Sequence, residues 1–146
     1  MADIIDNVKE KTGLIKKFIE STKKINSALK ENEAGSPEQI EILAAEIDTR
    51  DKAISEINII NKLIENSKNI SDNQKSELEQ ERRLWFDLLS EIAPLEKENE
   101  AKIENIYNMY MGKVKSAKDS IKVIDAYSRQ MTEGFPAEAL SIDKRN

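Results

Sequence analysis

The chain has no cysteine and no histidine, and its 146 residues include only 4 glycines, 3 prolines and 5% aromatics. Without cysteine there is no disulfide framework, no thiolate nucleophile and no zinc–thiolate site, and nothing points to an oxidising compartment. Without histidine the commonest acid–base catalyst and the commonest metal ligand are both missing. So few turn formers exclude a sandwich or barrel, which needs a turn about every ten residues. No apolar run approaches the roughly 20 residues of a membrane span, and the acidic start Met1-Ala2-Asp3 is unlike a signal peptide. A cytoplasmic protein without membrane insertion is the expectation.

What is present is charge and periodic aliphatics. Charged residues make up 35% of the chain and apolar residues 38%, with a net charge of −5 that argues against nucleic acid as the main partner. Low apolar content with high charge usually signals disorder, but here the apolar residues are mostly Ile and Leu at helical spacing. The length suits one domain with a real core.

A first helix is predicted from about Asp3 to Asn32. Val8, Ile15, Phe18, Thr22, Ile25 and Leu29 form its stripe, and Lys11 fills the remaining slot. Glu33-Ala34-Gly35-Ser36-Pro37 then reads as a stop and restart. Gly35 suits a C-terminal cap, Ser36 an N-cap, Pro37 the first helical position, and Gln39 completes a capping box. The second helix runs to about Asn66 on Ile40, Leu43, Ile47, Ile54, Ile57 and Ile64. Arg50 and Asn61 share that register, and a helix boundary is expected to satisfy them, because an unpaired buried charge costs several kcal/mol. After a short loop, Ser71 and Gln74 repeat the capping signature.

From Asp72 no signal is strong enough to stop a third helix before about Met131. Leu78, Trp85, Leu89, Ile92, Ile103, Ile106, Tyr110, Ala117, Ile121 and Ile124 hold its register, with Asn99 and Lys113 on the seam. Pro94 is awkward there, and a kink is favoured over a reversal because the following residues offer no loop chemistry. Short loops set neighbouring helices antiparallel. The expected fold is therefore all-α: an antiparallel three-helix bundle over 1–131, with a very long third helix kinked near Pro94 and a C-terminal tail over 132–146.

The lengths carry a functional implication. At 1.5 Å per residue the first two helices measure about 45 Å and the third about 90 Å. Beyond roughly residue 102 the third helix then lacks a partner unless it bends back. That half carries the apolar stripe Ile103, Ile106, Tyr110, Val114, Ala117, Ile121 and Ile124. Such a face either binds a partner, closes by homodimerisation, or is covered by longer or offset neighbours. Phe135, Leu140 and Ile142 lie in a tail too short for a core of its own. It is either a frayed end or a cover for the stripe near Ile121, Ile124 and Tyr127 that a partner displaces.

Chemistry finds little support. Glu77, Glu79, Glu81, Glu91, Glu96, Glu98, Glu100 and Glu104 suggest a di-metal site, but the bundle version of that site requires histidine. Interspersed Arg82, Arg83, Lys97 and Lys102 make a solvated face the better reading. Lys113, Lys115, Lys118 and Lys122 form a basic stretch that either meets an acidic partner or, the favoured reading, is a solvated helix face; Trp85 reads as core and Phe86 as the more exposed of the two. There is no glycine-rich phosphate loop and no calcium loop. No cofactor, metal or catalytic residue is expected, and the chain is not expected to be an enzyme.

Three segments resemble a known family. The stretch from Glu46-Ile47-Asp48-Thr49-Arg50-Asp51 through Ile57-Asn58 resembles the second-helix pattern of flagellar type III export chaperones of the FliT and FlgN kind. Gly112-Lys113 through Ala126-Tyr127 is similar to that family's glycine–basic segment leading to an Ala-Tyr pair. Ile142-Asp143-Lys144-Arg145 is similar to its Ile-Asp-basic-basic ending. The segments occur in the family's order and span most of the chain from Glu41 onward. The departures are mid-helix Pro94 and a long gap after Tyr127. The resemblance implies a cytoplasmic chaperone whose client is an axial subunit, either a filament cap or a hook–filament junction protein. The late-helix face would hold the client's C-terminal helix and Tyr127 would contribute to docking at the export gate. The competing expectation is a homodimeric coiled-coil scaffold.

Overall fold

The computed structural model describes residues 3–111 and 118–132. Over these residues the chain is all-helical, with no strand, in four elements: α1 (Ile4–Glu31), α2 (Pro37–Glu65), α3 (Asp72–Met111) and α4 (Lys118–Thr132). No described helix is long and apolar enough to cross a membrane.

The first two turns follow local chemistry. Gly35 takes φ 76°, the left-handed region that favours glycine, and the Ser36 Oγ accepts from the Gln39 N–H at 3.2 Å. The Gln39 side chain reaches one residue further back than a standard capping box. Its Oε1 accepts from the Gly35 N–H at 2.7 Å, while its Nε2 donates to the Ala28 carbonyl at 3.2 Å. The turn is thereby laced to the end of α1. At the second turn Asn69 is left-handed at φ 60°, and Ser71 and Gln74 form the reciprocal box at 3.1 and 2.9 Å. Gln74 also donates to Asp3 at 2.9 Å, joining the starts of α3 and α1.

Cross-helix bonds set the directions. Gln74–Asp3, Trp85–Thr12, Asn26–Asn99 and Asn99–Thr22 join residues 71, 73, 73 and 77 apart, so α3 runs alongside α1 in the same sense. The end of α1 meets the start of α2 at Ala28 and Gln39, so that pair runs in opposite senses. Two apolar clusters result. One gathers Val8, Ile15, Phe18, Ile57, Ile64, Trp85 and Leu89; the other gathers Ile25, Leu43, Ile47, Ile103, Ile106, Ile124 and Tyr127.

The third helix does not continue to Met131 as expected. Within the described residues it passes through the exposed Pro94 as far as Met111, and α4 lies back against both α2 and α3. The physical reason is burial. A continuous helix would leave Val123, Ile124 and Tyr127 in water, whereas the return of α4 buries all three against a cluster that includes Ile103 and Ile106. Burying a side chain of this size gains about 1.5–3 kcal/mol. A helix of 15 residues is marginal alone, so its stability comes from this contact.

Candidate functional site

The face expected to meet a partner is covered by the chain itself. Ile103 and Ile106 are each 3% exposed, Ile124 7% and Tyr127 1%, and all four belong to the second cluster, which draws on all four helices. The bare overhang expected from helix lengths is therefore corrected to a closed seam. Tyr110 and Ile121 lie in α3 and α4, but their side chains fall outside the described residues. Val114, Ala117, Phe135, Leu140 and Ile142 also lie outside them.

At the junction of the two apolar clusters is a buried polar centre. Arg50 projects from the middle of α2 and donates from Nη1 and Nη2 to the two carboxylate oxygens of Glu96 on α3, at 3.0 and 3.2 Å. Its guanidinium carbon lies 4.3 Å from the Phe18 ring centre and 4.7 Å from that of Tyr127. Next to it the Asn99 Oδ1 accepts from Asn26 at 2.9 Å, and the Asn99 Nδ2 donates to the Thr22 carbonyl at 3.2 Å. A planar, bidentate pair with an aromatic face on the cation is the arrangement in which arginine tolerates burial best. These contacts tie all four helices to one point.

This centre corrects two expectations. Arg50 is satisfied in mid-helix by a carboxylate 46 residues away, not at a helix boundary. Glu96 is only 5% exposed and does not belong to the solvated acidic face. The signal for Glu96 was available: Ile92, Glu96, Asn99 and Ile103 are spaced four, three and four, the spacing of a core stripe. A second buried cation, Lys11, places its Nζ 4.2 Å from the Trp85 ring centre, while the Trp85 indole N–H donates to the Thr12 hydroxyl at 2.6 Å. Phe86 is 55% exposed, as expected of the residue beside the stripe.

Polar contacts at the end of α4 complete the seam. Gln130 donates to the Ile47 carbonyl at 3.3 Å and to Asp51, and Arg129 approaches Asp51 at 3.4 Å. Beside them, burial pushes the Tyr127 phenol up to about 12, although the Arg50 guanidinium opposes the shift. The sign of the resulting pH effect is fixed by linkage. The phenol ionises near 10 when unfolded and near 12 when folded, so stability is unchanged below pH 10 and falls between about 10 and 12. Two units correspond to about 3 kcal/mol. Alkaline titration followed by phenolate absorbance should show one of the three tyrosines ionising near pH 12, and Tyr127→Phe should remove that step. If the step survives the substitution, the assignment is wrong.

The polar groups of this centre bond to one another across helices, so the arrangement fastens helices together. Comparison with protein-family models, curated proteins and solved structures finds no match for this chain.

Proposed function

We propose that this chain is a non-catalytic, cytoplasmic chaperone of the flagellar export kind. It binds the C-terminal helix of an axial subunit, a filament cap or hook–filament junction protein, keeps it unassembled and delivers it to the export gate. In this reading α1, α2 and α3 form an antiparallel three-helix scaffold bent at Pro94. The client helix takes the face of α2 and α3 that carries Ile103 and Ile106.

One observation supports the reading above others. That face already accepts an amphipathic helix, because α4 lies on it with Val123, Ile124 and Tyr127 inward. α4 is short, and the hydrogen bonds described at its end converge on Asp51 and Ile47. A client helix of similar pattern competes for the same apolar surface. Displacing α4 would also uncover Tyr127 for the export gate, coupling client loading to docking.

The test is calorimetric titration of the full chain with synthetic C-terminal helices of a filament cap and of a hook–filament junction protein. One of them should bind with a Kd of about 1 μM or tighter, the range of helix-in-groove contacts. Asp51→Ala loosens α4 and should tighten that Kd about three- to tenfold, because a larger fraction of the protein is open. If neither helix binds either protein, the chaperone reading fails.

A specific observation favours a second reading, the homodimeric scaffold. Ile59 and Leu63, one turn apart on the outer face of α2, are 61% and 49% exposed. Sedimentation equilibrium distinguishes the two readings: a scaffold dimerises in the micromolar range and Ile59→Lys dissociates it, whereas a chaperone stays monomeric without client.

A further inference from the structure

A cleft of about 330 Å³ opens between α3 and α4. Its floor is apolar, with Ile103 and Ile124 buried and Tyr107 half-buried. Its rim carries Glu100, Glu104 and Asp125, all exposed. None of these three carboxylates makes an ion pair with a described residue, whereas Asp48, Asp51, Glu79, Glu96 and Glu98 all have cationic partners. Tyr127 lines the same cleft at 1% exposure. An apolar floor and an uncompensated negative rim together suit an apolar side chain followed by cations.

The chain carries that pattern in Leu140, Ile142, Lys144 and Arg145. α4 ends at Thr132, and the α4 residues that line the cleft, Ile124 to Ser128, lie only about 6–12 Å back along it. Ile142 lies ten steps along the chain from Thr132, a reach of up to about 33 Å when extended. That leaves ample chain for a reversal, and Gly134 and Pro136 are turn formers in the interval.

We infer that residues 140–145 of this chain occupy the α3–α4 cleft, with Ile142 on its apolar floor and Lys144 and Arg145 against Glu100, Glu104 and Asp125. Occupation removes apolar surface from water and neutralises part of the acidic rim. It also lays the tail across the seam that holds α4 to α3. The inference stands without the client reading, because both partners belong to one chain.

The absence of native cysteine makes a clean test possible in the full-length protein. A Ser128→Cys/Ser141→Cys variant places one thiol at the cleft and one beside Ile142. Lys122→Cys/Ser141→Cys is the control, since Lys122 is exposed on α4, does not line the cleft and keeps a similar separation along the chain. Under mild oxidation the first pair should close an intramolecular disulfide about tenfold faster than the control, reflecting a raised effective concentration. Adding Lys144→Glu and Arg145→Glu should return it to the control rate, with helix content by circular dichroism unchanged. Equal rates for the two pairs overturn the proposal, as does insensitivity to the charge reversal. Disulfides formed only between chains also overturn it and assign the cleft to a second copy.

Discussion

Arg50→Ala is expected to destabilise the fold by about 3–5 kcal/mol, because it leaves the Glu96 carboxylate buried without its cation. Glu96→Leu alone should cost a similar amount by stranding the guanidinium between Phe18 and Tyr127. The double replacement Arg50→Met/Glu96→Leu should recover most of the loss. It exchanges a desolvated ion pair for apolar side chains of similar volume, a swap that is often neutral or stabilising. Urea unfolding followed by helical ellipticity measures all three. Nearly additive losses in the double variant would mean the pair is solvated enough to contribute as two independent contacts. The pair's position also predicts the route of unfolding. Arg50 touches rings from both apolar clusters, so the single variants should lower cooperativity between the ends of the bundle as well as total stability.

Trp85→Ala should cost about 3–5 kcal/mol, the range for removing a large buried aromatic. Trp85 is fully buried in the first cluster, and its ring is also the face on which the Lys11 ammonium rests. Its loss leaves a cavity, a buried cation without its aromatic face and a Thr12 hydroxyl without its indole donor. Trp85→Phe keeps a ring under Lys11 and should cost less than half as much. Phe86→Ala, at the adjacent but exposed position, should stay within about 0.5 kcal/mol of the parent. The contrast between neighbours is the control: a loss at Phe86 comparable to that at Trp85 would mean that the face of α3 is misassigned. Denaturation midpoints at constant slope decide it.

The elements that were legible in the sequence are those whose ends are set by neighbours along the chain. Gly35-Ser36-Pro37 stops one helix and starts the next through a left-handed residue, a hydroxyl cap and a ring that needs no donor. Ser71 and Gln74 do the same within a four-residue window. Trp85 and Phe86 were separable because one lies on a repeating stripe and the other does not. The seam residues Ile103, Ile106 and Ile124 were recognised as one apolar face, but their cover was not. What the face needed was clear from its chemistry; which helix would supply it was not.

The sequence alone determined that the described residues are helical, where the first two turns fall and most of the apolar positions that face inward, because those properties depend on spacing and capping within a turn or two. Only the tertiary structure decided that the third helix does not run straight on to Met131. No local signal turns it back, and the gain from burying Val123, Ile124 and Tyr127 arises only when α4 returns to α2 and α3. The same holds for Arg50 and Glu96. Each reads alone as a charge on a helix, and burial becomes acceptable only when a partner 46 residues away arrives at 3.0 Å. Local chemistry wrote the helices, and the free energy of burying apolar surface and pairing charge chose how they meet.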